Sequence, residues 1–237
     1  MGYVLGIVPA RGDSKGIPGK NVRLLAGQPL LYYTVKAAKG AGIIDRVILT
    51  TDSEEIAEVG RGLGLEVPFL RPPELARDDT PMLPVVEHAV ASLEKDDWKP
   101  EVVVLLQPTA PLRRPEHIVQ AVSILRETRC DSVVSVVPVP EHFSPHYVMK
   151  ITEGRLIHFL PEGHAITRRQ DAPRAYYRDG TVYVTWRNVV METHSLYGED
   201  CRPLLLSEEE SINIDTMEDW TTAEQRLAQI HKIDPGV

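Results

Sequence analysis

Cysteine is scarce in this chain. There are two in 237 residues, Cys130 and Cys201, and they form no metal-ligand spacing. Their number fits a reducing compartment, and both read as bystanders. Long hydrophobic runs are missing too, since none approaches the length of a membrane span. The first predicted strand begins so close to Met1 that a signal peptide has no room, so a cytoplasmic protein with no membrane partner is expected. Excess positive charge is also lacking. A formal net charge of -8 and a pI near 5.5 exclude a general nucleic-acid or membrane-surface binder, whose footprint would be a basic face. The eight histidines show no ligand spacing and read as surface or structural residues.

Against that acidic background one stretch stands out, VLGIVPARGDSKGIPGKN at 4–21. The apolar run Val4 to Val8 predicts a buried strand, and a loop with glycines at 12, 16 and 19 follows it directly. From Pro9 to Arg23 there are four cations, Arg11, Lys15, Lys20 and Arg23, against the single acid Asp13, a local charge of +3. Glycine lets the backbone approach a ligand closely, and fixed cations track phosphate oxygens, so the loop is built for phosphate. It is not a Walker loop, which would need Gly at 14 and Ser or Thr at 21 where this chain has Ser14 and Asn21. Nor is there a GxGxxG dinucleotide fingerprint.

The rest of the chain alternates strand and helix. A helix is predicted from Pro29 to the glycines at 40 and 42, a strand at 46–50, and a helix capped by Ser53 with acids in its first turn. A third strand is expected at 67–70, a helix at 84–93, a uniformly apolar strand at 102–106, a helix at 116–128 and a strand at 132–137. Such alternation with short connections predicts a single α/β domain over 1–237, its sheet mostly parallel and flanked by helices, with ligands at the carboxyl ends of the strands. Between 141 and 175 the rhythm breaks into a polar stretch with hairpin character around Gly154, read as an inserted lid or interaction arm. Strands are again predicted at 180–186 and 202–206, before a C-terminal helix that ends near His231.

The segment IVPARGDSKGIPGKN resembles the signature of the acylneuraminate cytidylyltransferase, or CMP-sialic acid synthetase, family. Three further stretches are similar to family motifs: QPTAPLR at 107–113, RRQDAPRAYYRDGTVYV at 168–184 and SINIDT at 211–216. The related CMP-Kdo synthetases carry a different opening loop. The resemblance implies a Rossmann-like nucleotidyltransferase fold, with 141–175 as a dimerisation arm of a homodimer. It also implies transfer of CMP from CTP to the 2-hydroxyl of a nonulosonic acid, with release of pyrophosphate. Arg11, Lys15 and Lys20 would supply the catalytic countercharge, with Gly12, Ser14, Asn21, Arg71, Asp79 and Thr80 as further nucleotide contacts. Gln107, Thr109, Arg168, Arg169 and Tyr183 would hold the sugar acid, whose carboxylate suits a bidentate guanidinium. Asp179 stands where the family usually has asparagine.

Magnesium takes one or two protein carboxylates and fills its shell with water and phosphate oxygens, so Asp215 at a strand end facing the loop is the expected ligand, with Asn213 beside it. The family often has a second acid at 213. Asparagine can ligate through its carbonyl or order a metal-bound water. Thr216 also suits the cap of the last helix, and both roles are compatible. Alternatives are a nucleotidyltransferase for another acceptor such as Kdo, or a catalytically silent nucleotide-binding regulator.

Overall fold

The computed structural model describes residues 2–233 apart from Lys15, Thr167 and 169–171, with the backbone alone for 231–233. Lys15 and Arg169 therefore lie outside the described residues. Strand β1 (Val4–Pro9) is buried along its whole length and ends at the glycine-rich loop. A tight hairpin, β2 (Leu24–Leu25) and β3 (Gln28–Pro29), turns through Ala26 and Gly27, both at positive φ, and delivers the chain into α1 (Leu30–Gly40). Next come β4 (Arg46–Thr50) and α2 (Glu54–Gly62), whose cap is the Ser53 hydroxyl accepting from the Ile56 amide at 3.4 Å. Then follow α3 (Met82–Glu94), β5 (Val102–Leu105), α4 (Pro115–Thr128) and β6 (Ser132–Pro138).

The 67–70 segment is not a strand. Glu66 makes an isolated parallel bridge to Ile48, and pairing stops there because Pro68 has no amide hydrogen to continue a ladder. The chain instead returns to the sheet edge where the Arg71 amide donates to the Thr51 carbonyl at 2.7 Å.

After β6 the hairpin β7 (Met149–Thr152) and β8 (Arg155–His158) forms a separate two-stranded sheet. It leaves Ile151, Leu156 and, just beyond it, Phe159 strongly exposed. The chain returns through β9 (Tyr176–Trp186), α5 (Arg187–Met191), β10 (Cys201–Leu205) and α6 (Met217–Ile233). The main sheet has the order β10-β6-β9-β5-β1-β4. It is parallel at three pairings, and β9 runs antiparallel between β5 and β6. The mostly parallel, helix-flanked sheet expected from the sequence is thus present.

Alternation along the strands divides the core. Val4 and Val8 face Leu31, Val35 and Ile118 of α1 and α4, whereas Leu5 and Ile7 face Val86, Ala89 and Val90 of α3. A third cluster lies outside this sandwich and joins Ile17 of the opening loop, Leu30 of α1, Leu112, Ile214 and Trp220 of α6. Fully burying an isoleucine stabilises by roughly 1.5–3 kcal/mol, so Ile17 and Ile214, both almost completely buried, act as pegs for two otherwise polar segments.

His117 on α4 is 1% exposed, and burial followed by the neighbouring Arg114 lowers its pKa from 6.5 to about 4. The unfolded chain therefore binds a proton below about pH 6.5 that the native state refuses until about pH 4. Stability is held above the upper value and lost as pH falls through this window, by at most about 1.4 kcal/mol per pH unit. Urea unfolding at pH 4.5, 5.5 and 6.5 should show a shallower fall in stability for His117→Gln than for the parent, and parallel losses would exclude this imidazole as the source.

Candidate active site

A cleft of about 290 Å³ opens at the carboxyl ends of β1 and β5, the crevice where open α/β sheets bind ligands. The opening loop contributes Arg11, Ser14, Lys20 and Asn21, and the segment after β5 contributes Gln107 and Thr109. From the opposite side come Arg71, Arg77, Asp78 and Thr80, with Met82 and Val85 of α3. A charged loop therefore faces a partly apolar wall, a shape suited to a polyanion that carries a flat organic group.

Among the described residues of the loop, Arg11, Gly12, Lys20 and Asn21 each donate to the protein. Arg11 Nη2 pairs with Asp78 Oδ1 at 2.7 Å, and its Nη1 donates to the Arg77 carbonyl at 3.3 Å. Gly12 N donates to Asp52 Oδ1 at 2.9 Å. Asn21 is buried, and its amide donates to the Arg11 carbonyl at 3.0 Å, which fixes the turn that presents the guanidinium. Lys20, whose side chain is only 11% exposed, donates to the Ile214 carbonyl at 2.6 Å and reaches Asp215 Oδ1 at 3.2 Å. These contacts bring together residues 195 positions apart in the chain. They depend on Gly16, where an added Cβ would collide with the Asp215 carbonyl oxygen.

Asp215 does not stand at the end of a sheet strand. It lies in an irregular segment entering α6, where the Thr216 hydroxyl accepts from the Asp219 amide at 3.2 Å and the Asp219 carboxylate accepts from the Thr216 amide at 2.8 Å. The cap at Thr216 and a solvent-facing Asp215 thus coexist, and the Asp215 side chain is 66% exposed. Asn213 Nδ2 donates to Asp215 Oδ2 at 2.6 Å, so the two side chains share one side of the segment. A Cβ on Gly180 would stand 3.1 Å from Gln107 Oε1 and 3.7 Å from Asn213 Oδ1, which places both carboxamides over the bare face of that glycine. Gly180 has φ +82°, in a stretch of β9 where the pairing with β6 is irregular. Residues expected on the sugar side and on the metal side therefore meet at a single point.

Among the described residues no cluster of three or more His, Cys, Asp and Glu side chains can hold a metal. One accessible carboxylate beside a lysine is nonetheless a donor set that fits magnesium, which takes most of its ligands from water and phosphate. Asp215 is the residue that could hold such an ion.

Other expected residues sit differently. Arg71 is buried, with Nε donating to Thr50 Oγ1 at 3.1 Å and Nη2 to the Thr50 carbonyl, and burial lowers its pKa to about 10. Its guanidinium braces the loop while one edge faces the cleft. Thr80 lines the cleft, but Asp78 does so rather than Asp79. Tyr183 lies in the core with its ring edge-on to Tyr197, and Arg168 is exposed; neither lines the cleft. Asp179 is buried, its carboxylate accepting from the Thr181 amide at 3.2 Å and from the Thr181 hydroxyl. Asp52 and Arg77 escape the sequence reading. Asp52 had a usable signal, its position just past β4 at the carboxyl end of the sheet.

A cationic loop, the accessible carboxylate of Asp215 at its edge and a partly apolar wall at a strand crevice form a site suited to handling a nucleotide. Residues 5–219 match the profile of the cytidylyltransferase family, and the chain belongs to that family. A CMP-N,N'-diacetyllegionaminic acid synthase of Legionella pneumophila is 37% identical over 227 residues, which span 94% of this chain and 96% of that protein. An N-acylneuraminate cytidylyltransferase of Streptococcus agalactiae serotype V is 30% identical over 90% of this chain, which spans about half (51%) of that longer protein. A pseudaminic acid cytidylyltransferase of Campylobacter jejuni is 29% identical over 90% of this chain and 91% of its own length. Among solved structures, a CMP:2-keto-3-deoxy-manno-octonic acid synthetase complexed with CTP superposes with a TM-score of 0.73 over 96% of this chain and 99% of its own. At 16% identity that likeness establishes the fold alone.

If the close approach at Gly16 is what keeps Lys20 on Asp215, Gly16→Ala will weaken CTP binding by about tenfold or more, as expected for over-packing by roughly 1–3 kcal/mol. Titration calorimetry with CTP reads this directly, and unchanged affinity would show that the contact is dispensable.

Proposed function

We propose that this chain transfers CMP from CTP to the anomeric 2-hydroxyl of a nonulosonic acid, with N,N'-diacetyllegionaminic acid as its acceptor. The observation that carries the reading is the Lys20 ammonium, held between the Ile214 carbonyl and Asp215 at the mouth of a cleft in a cytidylyltransferase-family chain. The choice of acceptor rests on the 37% identity to a legionaminic acid synthase, shared along nearly the full length of both proteins.

The reaction is an in-line displacement. The acceptor hydroxyl attacks the α-phosphorus, the bond to the β-phosphate breaks, pyrophosphate leaves, and the hydroxyl proton passes to solvent. Such a step depends on holding two anions together and stabilising charge on phosphate oxygens. Arg11, with Lys15 from the same loop, exchanges its internal acidic partner for the triphosphate. Lys20 stays anchored at Ile214 and presents its remaining donor capacity to the phosphates. The wall of Arg71, Thr80, Met82 and Val85 receives the base. Gln107 and Thr109 face the acceptor, and Arg168 and Arg169 are assigned to its carboxylate. Mg²⁺ held by Asp215, with Asn213 beside it, would neutralise the triphosphate charge.

We also assign the hairpin to a homodimer interface, because Ile151 and Leu156 stand opposite each other across it and both, with Phe159, are strongly exposed apolar side chains. A cytoplasmic setting completes the reading, since the reaction draws on CTP.

Pyrophosphate release should be measured with Mg²⁺ and each nucleoside triphosphate against diacetyllegionaminic, N-acetylneuraminic and pseudaminic acids and Kdo. Release with CTP and diacetyllegionaminic acid, abolished by a chelator, is expected. Turnover confined to Kdo, or silence in every combination from folded protein, would overturn the assignment. In sedimentation, Ile151→Glu with Leu156→Lys should convert a dimer into a monomer; an unchanged sedimentation coefficient would remove the hairpin from the interface.

A further inference from the structure

Arg113 does not line the cleft and is only 4% exposed, yet it spends a full guanidinium on neutral partners. Its Nε donates to the Thr181 carbonyl at 2.5 Å, Nη1 to Thr34 Oγ1 at 2.7 Å and Nη2 to the Gln107 carbonyl at 2.5 Å. None of these bonds goes to a carboxylate. Burial lowers its pKa to about 9, and only the field of Asp179 opposes that shift. A desolvated cation is a poor way to gain stability, since apolar side chains of similar volume usually do as well or better. What three fan-shaped donors provide is geometry.

The partners show what that geometry fixes. Gln107 begins the segment after β5, and Thr181 follows Gly180, the bare residue against which the Gln107 carboxamide lies. Arg113 therefore grips both sides of that contact and ties them to α1 through Thr34. Two residues beyond Gln107, the Thr109 carbonyl accepts from the Ile214 amide at 2.9 Å. The Ile214 carbonyl in turn receives Lys20, and its neighbours are Asn213 and Asp215. A continuous path of hydrogen bonds and short chain segments runs from the buried guanidinium to the acceptor side of the cleft and on to the expected metal ligand.

We propose that Arg113 is a positioning residue, which sets the Gln107 carboxamide and the 213–215 segment in the orientation that acceptor attack requires. This rests on the cytidylyltransferase reading above. Arg11, Ser14 and the α3 wall lie on elements that Arg113 does not hold, and the 213–215 segment that anchors Lys20 is reached indirectly through Thr109, whereas Gln107 is gripped directly, so loss of Arg113 affects acceptor use before nucleotide binding.

The test uses Thr34→Val, which removes one of the three bonds while keeping side-chain volume, and Arg113→Lys, which keeps charge but loses the fan. Parent and variants are compared by melting temperature, CTP affinity from calorimetry, kcat/KM for diacetyllegionaminic acid at saturating CTP, and amide exchange at Ile214. Thr34→Val should lower acceptor kcat/KM by about tenfold, and Arg113→Lys by more, with CTP affinity held within about twofold and faster exchange at Ile214. Two results would overturn the proposal: a lowered melting temperature with acceptor kcat/KM unchanged in Thr34→Val, or CTP affinity falling in step with acceptor use. If the parent turns over no nonulosonic acid, the functional reading fails, and unaltered exchange at Ile214 in Thr34→Val would sink the brace independently.

Discussion

The site is organised by one nearly buried ammonium. Lys20 leaves the opening loop, caps the Ile214 carbonyl at 2.6 Å and touches the Asp215 carboxylate at 3.2 Å. Burying a cation costs several kcal/mol unless it finds such partners, so the loop cannot take another position without losing them together. Apolar packing supports the same geometry from below. Ile17 and Ile214 enter one hydrophobic cluster with Trp220, which turns the polar atoms of both segments toward the cleft. Gly16 completes the fit by having no side chain where the Asp215 carbonyl approaches. Sheet, loop and C-terminal helix are thus joined at the place where the chemistry is expected.

Charge explains how an acidic protein handles a polyanion. The chain carries -8 overall, but the cleft gathers cations and assigns them internal acids, Asp78 to Arg11 and Asp215 to Lys20. The Arg11–Asp78 pair, about one-third exposed on both sides, is worth little, so a triphosphate can replace it at small cost. The pairs keep the guanidinium and ammonium oriented until a ligand arrives, a form of electrostatic preorganisation. Arg113, almost fully buried and bonded to neutral oxygens, belongs to neither pair, and Arg71 is held on the Thr50 oxygens in the same way.

Most of the sheet was legible because its strands are short apolar runs bounded by clear signals. The strand at 46–50 and the Ser53 cap emerge at the residues the pattern indicates. The 67–70 segment misleads because Val67, Phe69 and Leu70 look like a strand, while Pro68 denies the ladder its donor. Within the site, the cationic loop was readable from local charge. Its acidic partners were not, since Asp52, Asp78 and Asp215 reach it from 40, 67 and 195 residues away. Of the acids at 78 and 79 the resemblance points to Asp79, whereas the turn presents Asp78 to the cleft. Arg113 was hidden for a related reason: it belongs to a recognisable motif, but its role depends on Thr34 and Thr181, brought to it only by the fold.

We propose that Asp215 serves the nucleotide through a divalent cation while Lys20 serves it directly. Calorimetry of CTP binding to Asp215→Asn, with Mg²⁺ and again in chelator, separates those roles. Without metal, removing a carboxylate beside the phosphates should leave affinity unchanged or raise it; with Mg²⁺ affinity should fall by about tenfold or more. An equal change under both conditions would contradict the claim and leave Asp215 as no more than the partner of Lys20.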